Sequence, residues 1–311
     1  YSAGIVGAEI IEDKWDGKTY WLKAKVSADP KEVQKSLKKI IDDKYKAKEL
    51  EKVREKAEEL TKEVERLNKE LAKANKKQPS KKIQQEYKAA IQGLTAMEWF
   101  ERGYEAGLAG RWQAALDAFT EAIELKFELQ AAYYNRGVAN GELGNYQQAI
   151  KDFTKAIELK PDDAMAYYNR GLVYANLGNY QRAIKDFTKA IELKTDDADA
   201  YNNRGVVYAN LGDYQQAIKD YNNAIEFKPG YAMAYNNRGN AYADLCNYQQ
   251  AIKDYNKAIE LKPDDADAYY NRGIAYRLLG NLQRAIKDFQ IGARLGVKEA
   301  QDMLLKLGEQ W

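Results

Sequence analysis

Histidine is absent from the 311 residues, and cysteine occurs once, at Cys246. Those two shortages exclude much of the common catalytic apparatus. Without imidazole there is no Ser–His–Asp triad, no Cys–His pair and no His-ligated metal. With one thiol there is no internal disulfide and no zinc site built from cysteines. The chain has no phosphate-cradling glycine loop and no nucleophile elbow either. These absences predict a protein that is not an enzyme and needs no cofactor or metal. Proline is also scarce, at 5 residues, whereas tyrosine reaches 24 and charged residues 31%. That balance predicts long helices rather than disorder. No apolar run reaches the length of about 18 residues that a membrane span requires.

The net charge of +2 hides an uneven distribution. Residues 31–88 carry 19 basic and 12 acidic side chains, a surplus of +7, whereas residues 89–311 sum to −4. A basic arm therefore precedes a mildly acidic body. It steers self-association, attracts an anionic surface, or is simply a solvated, Lys-rich helix.

Residues 1–41 read as a β-hairpin followed by a helix. Val6 to Glu12 and Thr19 to Val26 are the expected strands, with Asp16-Gly17 as the turn between them. Asp29-Pro30 starts the helix, followed by Val33, Leu37, Ile40 and Ile41 at helical spacing. So small a unit is not stable alone. The expectation is the tail of a larger α/β domain, or a processed chain. Trp15-Asp16-Gly17 and Thr19-Tyr20-Trp21-Leu22, within Glu9 to Val33, resemble the closing hairpin and helix of a small domain of bacterial envelope lipoproteins. That resemblance implies the bacterial cell envelope, periplasmic or extracellular, over the cytoplasm.

Residues 42–78 form a heptad arm. Leu50, Val53, Ala57, Leu60, Val64, Leu67, Leu71 and Ala74 alternate at spacings of three and four, the apolar seam of a coiled coil. Leu50, Val53, Leu60, Val64, Leu67 and Leu71 are the candidate oligomerisation residues, because an unpartnered seam exposes them to water. The seam is covered either by another copy or by the chain's own body. Pro79 ends the arm, and residues 79–95 are a linker or helix.

The rest of the chain repeats itself. Gly137, Gly171, Gly205, Gly239 and Gly273 are 34 residues apart, as are Ala149, Ala183, Ala217, Ala251 and Ala285. One period further back stand Trp99, Gly103, Ala115, Phe119 and Ala122. The pattern gives six helix-turn-helix repeats over residues 96–297 and a capping helix over 298–311. With that period and those residues, the chain resembles the tetratricopeptide repeat family. The implied fold is an all-α superhelical solenoid. Gly171, Ala183 and Ala190 are expected to let paired helices approach, and Tyr167, Tyr174 and Phe187 to fill the space between them.

In that family the first helix of each repeat lines a concave groove. At the sixth position of five repeats stand Asn135, Asn169, Asn203, Asn237 and Asn271. An amide offers both a donor and an acceptor, so such a row can hold a peptide backbone. It resembles the asparagine ladder of O-linked N-acetylglucosamine transferases; the other reading is that it joins neighbouring repeats. Tyr134, Tyr168 and Tyr270 at the fifth position add aromatic surface to the same wall. Asp199, Asp244 and Asp267 favour a neutral or basic peptide or protein partner, and the second position, which holds Met97, Met165 and Met233 among others, lacks the basic clamp for an acidic tail. Arg136, Arg170, Arg204, Arg238 and Arg272 recur with the period of Asp152, Asp186, Asp220, Asp254 and Asp288. They are expected to form ion pairs, or else an anion-binding stripe. Nucleic acid is excluded as a partner because the array is acidic overall. The expected function is a non-catalytic scaffold for protein–protein interaction. The alternative is a structural subunit that assembles into a homo-oligomer or filament.

Overall fold

The computed structural model describes residues 8–15, 20–26, 55, 59, 62–63, 66, 81–126 and 128–310. Strands β1 (Ala8–Trp15) and β2 (Tyr20–Val26) pair antiparallel, with Ala8 opposite Val26 and Trp15 opposite Tyr20. Ile11 is the extra residue of a bulge between Ile10 and Glu12. The first strand runs on to Trp15, nearer to the turn than the expected end at Glu12. The helix expected after Pro30 and the apolar seam from Leu50 to Leu71 lie outside the described residues. Glu55, Glu59, Lys62, Glu63 and Arg66 of the arm are helical, and Arg66 Nε donates to Glu63 Oε2 at 2.8 Å.

The described chain gathers into two compact units. The first contains the hairpin, helix α1 (Lys81–Leu108) and the latter part of α2 (Trp112–Glu124). Residues 81–95, expected as a linker or helix, are continuous with the first helix of repeat one. Gly103 faces the Phe119 ring, and Phe100 meets that ring edge-on at 5.5 Å. Ala96 and Met97 are buried in the same unit.

The second unit holds five helix pairs: α3 (Leu129–Glu142) with α4 (Tyr146–Leu159), α5 (Ala164–Asn176) with α6 (Tyr180–Leu193), α7 (Ala198–Asn210) with α8 (Tyr214–Phe227), α9 (Ala232–Asp244) with α10 (Tyr248–Leu261), and α11 (Ala266–Leu278) with α12 (Leu282–Arg294). Short polar residues start these helices by accepting orphan backbone N–H groups. Asp163 accepts from Met165 and Ala166, Asp197 from Ala200 and Asp265 from Ala268. Asp213, Asn247 and Asn281 cap α8, α10 and α12 in the same way.

Within each pair one contact sets the spacing. A Cβ placed on Gly171 would come 3.0 Å from the Phe187 ring, and on Gly239 it would come 2.6 Å from Tyr255. No side chain larger than hydrogen fits there without moving a buried ring. Phe153, Phe187, Tyr221, Tyr255 and Phe289 are the large buried side chains of the five pairs. The tyrosines expected to fill the same space do so in part: Tyr167 packs on Ala156, Ile157 and Ala166, and Tyr174 on Ala183, Phe187 and Val207. Both stay half-buried, and a guanidinium lies over each ring.

Helix α13 (Lys298–Leu307) closes the array. Its Ala300 and Leu304 are buried against Ala285, Phe289 and Ala293. A Cβ on Gly292, which stands where the other repeats have alanine, would lie 3.4 Å from Ala300.

Between paired helices the chain turns through a left-handed residue, a role glycine fills at no steric cost. Gly144, Gly178, Gly212 and Gly280 hold it at φ between 70° and 79°. Cys246 occupies the equivalent place in the α9–α10 turn with φ 59°. A side chain there costs about 1 kcal/mol. Cys246→Gly is therefore expected to raise the melting temperature by about 2–4 °C, measured by circular dichroism; an unchanged or lower value would show that the cysteine's contacts offset the strain.

Candidate peptide-binding groove

Residues three and four apart share a helix face. On α3, α5, α7, α9 and α11 the second, fifth, sixth and ninth residues of each repeat therefore form one surface. Asn135, Asn169, Asn203, Asn237 and Asn271 run across it, each half-buried. The amide nitrogens of the last four reach back to the preceding repeat. Asn169 Nδ2 donates to the Tyr134 hydroxyl at 2.9 Å, and Asn203 Nδ2 to the Tyr168 hydroxyl at 2.8 Å. Asn237 and Asn271 donate instead to the Oδ1 atoms of Asn202 and Asn236, at 3.1 and 3.4 Å. Asn135 and Asn169 also cap one turn back, on the carbonyls of Ala131 and Met165.

The donor side of the row is thus used between repeats. The Oδ1 atoms of Asn169, Asn203, Asn237 and Asn271 accept no hydrogen bond among the described residues. An amide oxygen held in place by its own NH₂ group is an oriented acceptor, suited to a backbone N–H. Tyr168 complements it. Burial and the nearby carboxylates of Asp199 and Asp197 push its phenol up to about 12, against a smaller opposing effect from Asn203. The group stays protonated at neutral pH and keeps its own O–H to donate. The rings of Tyr134, Tyr168 and Tyr270 lie 5.8–5.9 Å from Phe153, Phe187 and Phe289. They anchor to the core on one side and reach the groove by their hydroxyl end.

The second position has the most open side chains of this surface. Met165 and Met233 are 45% and 57% exposed, with the Asp199 side chain, 43% exposed, at the same position between them. Asp267 follows on α11 and is also exposed. Met97, at the same position of repeat one, is buried, since it lies within the 28-residue α1 and not in a helix's first turn. One further feature was not apparent from the sequence. Tyr231 stands where three other junctions have a capping aspartate, Asp163, Asp197 or Asp265, and it hydrogen-bonds Asp199 instead of the backbone. Burial first, and then that bond, hold its phenol well above the usual tyrosine range. Lys228 sits 3.9 Å over the Tyr231 ring and 3.5 Å from the Asp199 carboxylate. The departure from Asp-Asp to Gly230-Tyr231 in that turn was its only sequence signal.

The arginine row faces away from the groove and is fully engaged. Arg204 grips Asp220 with Nε and Nη2 at 2.8 and 2.7 Å, and its Nη1 donates to Thr188 of the preceding repeat at 2.9 Å. Arg170, Arg238 and Arg272 repeat the arrangement, with Thr154, Asn222 and Asn256 as the preceding-repeat acceptors. Each guanidinium also lies over a tyrosine, Arg204 over Tyr201 at 5.6 Å. Burial disfavours the charged Arg204, but Asp220 more than offsets it, and its pKa rises. This is an ion-pair ladder, not an anion stripe. A cleft of about 550 Å³ opens on that side, lined by Tyr167, Arg170, Lys185 and Lys189 among others. No cluster that could hold a metal ion occurs among the described residues.

Comparison with known proteins agrees with this geometry. Family models for the tetratricopeptide repeat match residues 164–197, 198–231, 232–265 and 254–287, and a further repeat model matches 142–178. Three of these frames begin at Ala164, Ala198 and Ala232, the first residues of α5, α7 and α9. The crystal structure of MamA protein is similar at 28% identity and a TM-score of 0.51, covering 56% of this chain and 95% of that one. YrrB, described as a TPR protein with an unusual peptide-binding site, is 25% identical with a TM-score of 0.52, covering 62% and 99%. No curated protein matches the chain. Residues 142–287 of the chain carry tetratricopeptide repeats.

The arginine ladder yields a test of its own. Removing one partner leaves a buried charge unpaired, which costs about 3–5 kcal/mol. Arg204→Ala is therefore expected to destabilise the second unit by that order, in urea unfolding followed by circular dichroism. The double variant Arg204→Leu/Asp220→Leu should recover most of the loss; equal loss in both variants would mean that packing, not the charge left behind, sets the cost.

Proposed function

We propose that this protein is a non-catalytic scaffold that holds an extended segment of a partner protein along the first-helix surface of repeats two to six. The observation that carries this reading is the row of amide oxygens at Asn169, Asn203, Asn237 and Asn271, fixed by their own donor bonds and open on the acceptor side. YrrB's description as a repeat protein with a peptide-binding site supports it by similarity. Asp199 and Asp267 on the same surface favour a neutral or basic partner. The envelope-like hairpin supports a place in a bacterial envelope assembly, which cell fractionation of the native protein tests.

The test begins with selection of a random peptide library on the full chain. Peptides recovered should lose affinity at least tenfold on Asn203→Ala/Asn237→Ala, while the melting temperature falls by only a few degrees. Recovery of peptides that crosslink to the lysines of α4, α6 and α8, with no dependence on the asparagines, would place recognition on the other face. No recovery at all would end the peptide reading.

A second role is proposed for the arm. The helical backbone at Glu55, Glu59, Lys62 and Arg66, polar positions on the outer face, and at Glu63, which flanks the seam, supports a coiled coil through Leu60, Val64 and Leu67. Replacing those three by Asp should dissociate an assembly in sedimentation velocity; a wild-type chain that stays monomeric at high micromolar concentration would show that no assembly forms through the arm.

A further inference from the structure

The groove surface has a period, and the period selects the shape of what lies in it. Successive first helices are direct neighbours, joined by the asparagine bonds from α5 to α3, α7 to α5, α9 to α7 and α11 to α9. Packed helix axes stand about 8–10 Å apart. A partner segment therefore advances by about that distance from one repeat to the next. A β-strand covers it in about three residues, but its side chains alternate faces, so every third one would turn away from the groove. A polyproline II helix has three residues per turn and rises about 3.1 Å per residue, about 9 Å per turn. It alone presents every third side chain to consecutive repeats. Its backbone forms no internal hydrogen bonds, so its N–H groups are free for the oriented Oδ1 acceptors.

The chemistry along the groove then specifies the side chains. At the second position of α5, α7, α9 and α11 stand Met165, Asp199, Met233 and Asp267. Two well-exposed thioether chains, adaptable apolar surfaces, alternate with the half-buried carboxylate of Asp199 and the exposed one of Asp267. Lys228 already neutralises part of Asp199. Asp267 is in no ion pair among the described residues, so it is the stronger site for a cation.

Resting on the scaffold reading above, the geometry points to a partner segment in polyproline II conformation whose every third residue alternates apolar and basic, an apolar-x-x-basic-x-x-apolar-x-x-basic pattern read in either chain direction. The apolar residues meet Met165 and Met233, and the basic ones meet Asp199 and Asp267.

The experiment uses the full chain and labelled thirteen-residue peptides in fluorescence anisotropy at low salt. One peptide carries Leu at residues 1 and 7 and Arg at 4 and 10, with Ala, Gln and Pro between; a second reverses the order. A third has the same composition with Leu and Arg at every fourth residue, and a fourth replaces Arg by Glu. One of the first two should bind at least tenfold more tightly than the third and the fourth. Asp267→Lys, checked for helicity, should turn the preference for Arg at the terminal anchor into one for Glu, and Asp267→Asn should abolish it. Equal binding of the three- and four-residue spacings, or an unchanged preference in Asp267→Lys, overturns the pattern. If library peptides are still captured through the asparagines, only the pattern falls; if nothing is captured, the groove reading falls with it.

Discussion

An aromatic ring resting on a bare glycine Cα fixes how closely the two helices of every repeat approach. Gly103, Gly137, Gly171, Gly205, Gly239 and Gly273 each leave 3.0 Å or less between an added Cβ and the ring that faces it. Several other features depend on that closeness. It brings the arginine one residue before the glycine within fork distance of the aspartate one residue before the ring. The paired guanidinium is then aimed so that its remaining nitrogen reaches back to the preceding repeat. A steric demand within one repeat is thereby converted into a polar bond between two repeats.

That conversion matters because a solenoid is stabilised mainly by nearest-neighbour terms. The interior interfaces are rich in small residues, with Ala156 beside Ala166 and Ala224 beside Ala234. Small side chains bury little area each, and alone they specify the angle between neighbours poorly. The arginine forks and the Asn–Tyr and Asn–Asn bonds add directional constraints on either side of those apolar contacts. Buried ion pairs contribute less to net stability than to fixing one arrangement. Here the arrangement fixed is the spacing of the groove.

Most of the solenoid was legible because a 34-residue period exposes every position several times. The partner of each arginine was legible for the same reason, since the aspartates share its period. What period alone could not supply was contact between repeats. Nothing in the sequence says that position seven reaches position twenty-five of the previous repeat, or that position six reaches position five, because those distances depend on how repeats stack. Tyr167 and Tyr174 show a related limit: a large aromatic at a recurring position reads as filling, which these rings provide in part, whereas their use as a plate beneath a guanidinium depends on the neighbouring charge. Met97 shares its repeat position with Met165 and Met233, yet burial separates them, because α1 extends about four turns before that position and the later first helices do not.

The repeats also differ from one another in an ordered way. Helices α5, α7, α9 and α11 keep Ala, Ala, Tyr, Asn, Arg, Gly and Tyr at positions one, three, four, six, seven, eight and eleven. Each of these has a part in packing, in the arginine ladder or in the asparagine bonds. Variation falls at positions two, five, nine, ten, twelve and thirteen. Three of those six, the second, fifth and ninth, lie on the groove surface. A chain selected only to stack would have no reason to place its differences there, since exposed positions on the second helices are equally free to change, yet α4 and α6 differ at a single residue. The asparagines belong to the constant set, as their bonds between repeats require. In the proposed groove they would form the uniform floor, with Met165, Asp199, Met233 and Asp267 alternating above it.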